Sequence, residues 1–162
     1  MICGNHSHVL DPFFVAYSMG AGRQIHFMAK VEIFRVPVVG PVLKAIGMFP
    51  VDREQGGGAA AIKTAMRLLK DGKKVGIFPE GTRIQAEEES EAKTGAVRLA
   101  ARMGVPIVPV FMARKKRLFR FNPVVIGEPY MVELDKKPTP EDIERAAEDM
   151  MERIRALGET LS

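Results

Sequence analysis

No run in this sequence approaches the ~18–20 consecutive apolar residues that a helix needs to cross a bilayer. The N-terminus lacks the basic head and apolar segment of a secretory signal. Cysteine is almost absent: the one thiol, Cys3, excludes an internal disulfide and fits a reducing compartment. There are no internal repeats, low-complexity tracts or linkers, and Gly56-Gly57-Gly58 is long enough only to free the entry to a following helix. Aromatic residues make up 7% of the chain and no recognised nucleic-acid-binding motif is present, so a nucleic-acid partner is disfavoured despite a basic run at 114–120. Neither sign of charge dominates. The net +4 is compatible with anionic substrates or an anionic membrane surface and selects neither.

What is present is an ordinary globular balance, 46% hydrophobic and 27% charged over 162 residues, enough for one domain with a real core. Short apolar runs at 74–78 and 105–111 read as strands covered on both faces, with weaker ones near 25–29, 47–51 and 123–126. Between them lie helical spacings. Ile62, Ala65, Met66 and Leu69 end at Gly72; Ala96, Leu99, Ala100 and Met103 end at Gly104; a long helix over about 140–160 buries Ile143, Ala147, Met150, Ile154, Leu157 and Leu161. Asp11-Pro12 reads as N-cap and first turn of another helix, and 32–46, with Pro37 and Pro41, as broken helix or loop. The acidic stretch 84–93 reads as a mobile loop. The pattern is a single α/β domain spanning 1–162, with a mostly parallel or mixed sheet and helices on both faces. The opening Met1-Ile2-Cys3-Gly4 runs straight into a polar loop. It reads either as a strand whose beginning is missing, in an N-terminally shortened chain, or as a natural short edge strand.

Four places could carry chemistry. In Asn5-His6-Ser7-His8-Val9-Leu10-Asp11, a histidine at a strand end precedes a carboxylate at a helix start. The pair can fold together so that the carboxylate orients the ring and the other nitrogen takes a proton from a hydroxyl. On spacing alone, a helix-capping aspartate beside a loop histidine is the commoner arrangement. Phe78-Pro79-Glu80-Gly81-Thr82-Arg83 follows a strand, at the edge where open α/β sheets place ligands, and its guanidinium fork suits phosphate; a tight turn with an internal Glu–Arg pair is the plainer reading. Phe49-Pro50-Val51-Asp52-Arg53 delivers another arginine to a strand end, and Lys93-Thr94-Gly95 ahead of a helix could meet an anion, although both cations are also ordinary surface charge. Cys3 reads as a small buried hydrophobe and not as a nucleophile.

Taken in order, these blocks, together with Val105-Pro106-Ile107-Val108-Pro109-Val110, make the chain resemble the 1-acylglycerol-3-phosphate (PlsC-type) acyltransferase family over about residues 2–130. The resemblance implies that His6 is the general base and Asp11 its orienting partner. It associates Arg53 and the block Glu80, Gly81, Thr82 and Arg83 with the glycerol-phosphate acceptor, adds Lys30 as a further phosphate contact, and makes Pro109 part of a structural or acyl-donor element. It implies transfer of an acyl group from acyl-CoA or acyl-carrier protein, as co-substrate, to the sn-2 hydroxyl of lysophosphatidate, with no cofactor, metal or covalent enzyme intermediate. A non-catalytic phospholipid-binding domain of the same fold is the alternative. Two positions depart from the family pattern: His8 and Ile84 stand where serine is usual. Relatives usually carry a membrane-contacting helical segment ahead of the first block. This chain is therefore expected to reach the cytoplasmic face of the membrane peripherally, through Arg114-Lys115-Lys116-Arg117 and the apolar residues of 118–121, unless that stretch is only a solvated basic loop.

Overall fold

The structure is a computed structural model that describes residues 1–8, 10–20, 24–51, 58–79, 86–113 and 123–160. In chain order its elements are β1 (Ile2–Gly4), α1 (Asp11–Ser18), β2 (Ile25–Lys30), α2 (Val31–Phe34), α3 (Val39–Ala45), β3 (Phe49–Val51), α4 (Gly58–Lys70), β4 (Lys74–Ile77), α5 (Ala86–Met103), β5 (Val108–Met112), β6 (Val124–Ile126) and α6 (Pro140–Glu159). The strands form one sheet in the order β3-β2-β4-β1-β5-β6. Every neighbouring pair is parallel except β5 with β6, so this is the mixed α/β sheet that the alternating patterns predict. β1 lies between β4 and β5 and all three of its residues are buried, which removes the edge-strand reading.

From β1 the chain steps toward one edge through β2 to β3, then returns past them to β4 and β5. Reversing direction while keeping one handedness of crossover places the connecting helices on opposite faces. The core divides accordingly. Val15 of α1 and Leu43 of α3 cover one face with Ile2, Phe27, Val110 and Met112. Ala65 of α4, Val97 and Ala100 of α5, and Met150 and Ile154 of α6 cover the other with Cys3, Val75 and Ile107. Ile2 and Cys3 face opposite layers, as strand pleating requires.

Several sequence expectations change here. Asp11 is the first residue of α1 and not its cap; the N-cap is Leu10, with no side-chain cap bond. The helix ending at Met103 begins at Ala86, so the stretch from 86 to 93 is helical and not loop, in keeping with the high helix propensity of its Ala and Glu residues. Lys93-Thr94-Gly95 therefore lies inside α5, where backbone amides bond within the helix, and the anion reading of that segment falls. The 32–46 segment is a helix broken around Pro37, as expected. α6 opens on a capping box in which Thr139 and Asp142 bond reciprocally, a feature the sequence reading did not single out.

Candidate active site

Parallel pairing of β1 with β4 and β5 brings the carboxyl ends of three strands to one edge, and the site grows from there. β1 ends because Asn5 swaps its side chain for its backbone in the ladder. The Asn5 amide Nδ2 donates to the Met112 carbonyl at 2.8 Å, and the Met112 N–H donates to Asn5 Oδ1 at 2.7 Å. The buried amide is thus satisfied on both sides, and the main chain turns out of the sheet at His6.

The turn closes on Asp11, which is fully buried. One carboxylate oxygen, Oδ2, accepts the Ser7 N–H at 2.7 Å and the His8 N–H at 2.8 Å, and lies 3.1 Å from His6 Nδ1. The carboxylate reaches backward into the loop before the helix, which is why it does not cap the helix in the usual sense. Because an ionised carboxylate only accepts, the proton in the His6–Asp11 bond sits on Nδ1, so that in the neutral ring Nε2 is the nitrogen with the lone pair. The His6 side chain keeps 22% of its surface exposed, so the ring is held by a buried anion yet open to a ligand. His8 takes no part in this arrangement with its ring: it is exposed, and its Nδ1 accepts the Leu10 N–H at 3.2 Å.

A second support lies under the ring. Phe78, the residue after β4, stacks on His6 with centroids 4.7 Å apart and planes 14° apart. Phe27 of β2 stacks on Phe78 in turn, at 5.1 Å and 5°. Phe27 lies flat across β4 because position 76 is glycine; a Cβ there would fall 2.2 Å from the Phe27 ring. Three neighbouring strands thus contribute one aromatic column ending at the imidazole. Asn5 and Phe78 were quoted in sequence motifs but not assigned these roles, since the roles depend on cross-strand register.

Of the residues singled out from sequence, the structure brings His6 and Asp11 into contact. Lys30 is exposed at the carboxyl end of β2, on the same edge as His6 and two strands from β1, about 10 Å laterally. Arg53, Glu80, Gly81, Thr82 and Arg83 lie outside the described residues, as does the 114–120 run; the described chain reaches Val51 at the end of β3 and Pro79 after β4. Pro109 pairs with Cys3 inside β5. Cys3 is fully buried, and burial pushes its thiol up to about 12, opposed by the Met1 ammonium, so it is a core group and not a nucleophile. An open groove of about 630 Å³ beside α6, lined by Tyr130, Leu134, Asp149 and Arg153 among others, lies near the opposite edge, where Tyr130 bridges to Ile107 just before β5. Among the described residues no helix is long and apolar enough to cross a membrane.

Comparison with known proteins gives the family and the fold. A profile of the Acyltransferase family matches residues 1–113. The 1-acyl-sn-glycerol-3-phosphate acyltransferase of Bacillus subtilis (strain 168) is 40% identical over 166 residues, covering 97% of this chain and 80% of that protein. The protein of the same name from Borreliella burgdorferi is 32% identical over 75% of this chain, which spans about half (48%) of its length. The crystal structure of the 1-acyl-sn-glycerophosphate acyltransferase from Thermotoga maritima superposes with a TM-score of 0.65 at 21% identity, over 99% of this chain and 66% of that one, a likeness of fold.

Proposed function

This chain belongs to the Acyltransferase family, and from that premise we propose that it acylates the sn-2 hydroxyl of lysophosphatidate, a step of phospholipid synthesis, with His6 as the general base. The observation that carries the proposal is the His6–Asp11 pair: a part-exposed histidine whose Nδ1 lies 3.1 Å from a buried carboxylate at the carboxyl edge of the sheet, with no partner for Nε2 among the described residues. Nε2 takes the proton of the acceptor hydroxyl as its oxygen attacks the thioester carbonyl of acyl-CoA or acyl-carrier protein. Asp11 stabilises the imidazolium that forms, and the ring then returns the proton to the departing thiolate. Base catalysis of this kind contributes typically about 10²–10⁴-fold, so positioning must supply much of the remainder.

Positioning falls to the acceptor's phosphate. Arg53 follows β3 in the chain, and Glu80 to Arg83 follow Phe78, whose ring touches His6. In this scheme the guanidinium groups of Arg53 and Arg83 bind the phosphate, a role their planar forks suit, and so present the neighbouring hydroxyl to Nε2. Lys30 on β2 is a further cation on the same edge. The scheme uses no cofactor, no metal and no acyl-enzyme.

The test is a transfer assay with lysophosphatidate against acyl-CoA and acyl-carrier protein as alternative donors, comparing the wild type with His6→Ala. A fall of about 10²–10⁴-fold is expected with the folded structure retained. A wild-type rate in His6→Ala removes His6 as base, and binding of lysophosphatidate without turnover by any donor identifies a non-catalytic lipid-binding domain instead.

A further inference from the structure

We propose that the corner between α2 and α3 inserts into the surface of an anionic lipid bilayer and holds the His6 edge of the sheet against it. The inference rests on the acyltransferase reading for its purpose but on separate residues for its evidence. Between Arg35 and Lys44 the chain carries no charge, and Val36, Pro37, Val38, Val39, Pro41 and Val42 are all exposed. The four valines keep 45%, 76%, 40% and 47% of their surface in solvent, in chain order, an apolar exposure that a water-facing corner has no reason to collect. Exposed Arg35 and Lys44 bracket the patch, and the nearest acidic residue in the chain, exposed Glu32, stands a turn before Arg35, so the rim keeps a net positive charge that matches anionic headgroups while the centre matches acyl chains.

The backbone favours lipid over a protein partner. At the tip Val38 has φ 69° and ψ −48°, a conformation that is strained for a β-branched residue. It closes a γ-turn in which the Val39 N–H bonds the Pro37 carbonyl at 2.8 Å. The N–H groups of Val36, Gly40 and Val42 bond Ile33, Val36 and Val38 carbonyls in the same corner, Pro37 and Pro41 have none to offer, and only the Val38 N–H has no partner among the described residues. A protein partner can supply hydrogen bonds to such a corner; hydrocarbon cannot, and a segment entering it must satisfy its backbone internally, even at the cost of strain. The topology sets the location. α2 leaves β2 at its carboxyl end and α3 carries the chain back to the start of β3, so the corner stands on the edge from which His6 projects.

The chain has no tryptophan, so Val39→Trp makes a clean reporter, with Glu148→Trp on the opposite face of the sheet as control. On phosphatidylglycerol vesicles the Val39→Trp emission is expected to shift blue and to be quenched by brominated acyl chains, while Glu148→Trp is unaffected. The double variant Val38→Gly/Val42→Ser is expected to lose about tenfold or more in vesicle partitioning without a lower Tm, since glycine relieves the turn. Its turnover of vesicle-borne lysophosphatidate should fall in proportion, and turnover of a short-chain, monomeric acceptor should not. Failure of the protein to bind vesicles, or binding that leaves Val39→Trp unquenched, overturns the proposal. So does a blue shift that grows with protein concentration in the absence of lipid, which would make a second copy the occupant. If the acyltransferase reading alone is wrong, the quenching remains and both acceptors go unused.

Discussion

Asp11 is where the chemistry and the local fold share a single oxygen. Its Oδ2 carries two backbone N–H groups and the His6 Nδ1–H, all within 3.1 Å, inside a fully buried side chain. Asparagine in its place keeps the shape but exchanges an anion for a neutral amide, so the bonds to the loop survive in weakened form while the imidazolium loses its counter-charge. Asp11→Asn is expected to lower kcat by roughly 10²-fold or more with a much smaller change in acceptor KM, because the charge is needed only when the ring is protonated. Alanine leaves the same donors without an acceptor and should in addition destabilise the fold by about 1–3 kcal/mol. Steady-state kinetics with a parallel urea titration separate the two effects; an Asp11→Asn variant with unchanged kcat would show that the carboxylate serves the loop and not the reaction. Of this site, spacing alone favoured a capping aspartate beside a loop histidine, and it was the family resemblance that paired His6 with Asp11. The cap reading failed because the side chain turned back toward the loop, and the anion reading of Lys93-Thr94-Gly95 failed because that segment lies inside α5.

At the scale of elements, the site depends on packing between strands that are distant in sequence. Phe27, Phe78 and His6 come from β2, from the end of β4 and from the end of β1, and they meet only because the sheet order is β2-β4-β1. Strand placement and the ends of the helices were readable from period and from the glycine stops, since each depends on a few consecutive residues, whereas the first turns of α5 read as loop because they lack an apolar stripe; sheet order and register were not readable, as they arise from long-range pairing. That is why Asn5 and Phe78 could be quoted from a motif without their part being seen. The same argument makes Gly76 a sensitive position although it touches no substrate. An added methyl overlaps the Phe27 ring at 2.2 Å and must displace it, and with it the support of Phe78 and His6. Gly76→Ala is expected to cost about 1–3 kcal/mol in stability and to lower kcat even where the protein is fully folded. Thr139→Ala, which removes the capping box of α6 on the far face, should cost about 1 kcal/mol and leave kcat of the folded fraction alone. Equal kcat in both variants would separate the aromatic column from catalysis.

For the molecule as a whole, the two faces of the sheet divide the work. The α1 and α3 face carries the aromatic column and the apolar corner, while the α4, α5 and α6 face holds the larger core, with Cys3 at its centre. That burial has a pH signature. Desolvation pushes the Cys3 thiol from 9.0 up to about 12. The Tyr130 phenol is likewise raised above its ordinary 10.0, first by desolvation, then by Cys3 and Asp149, with Arg153 opposing. Below pH 9 the folded and unfolded chains both keep these protons, and neither group makes stability depend on pH. As pH climbs past 9 the unfolded chain releases a thiol proton that the folded chain retains, so stability falls until the folded thiol itself ionises near pH 12. The limiting slope from one such group is about 1.4 kcal/mol per pH unit. Denaturant titrations from pH 7 to 11 should therefore show a steepening loss above pH 9. Cys3→Ala, though less stable at neutral pH through its lost packing, should show a shallower one. Parallel curves for the two proteins would mean that the alkaline loss originates outside this core, and that Cys3 contributes packing alone.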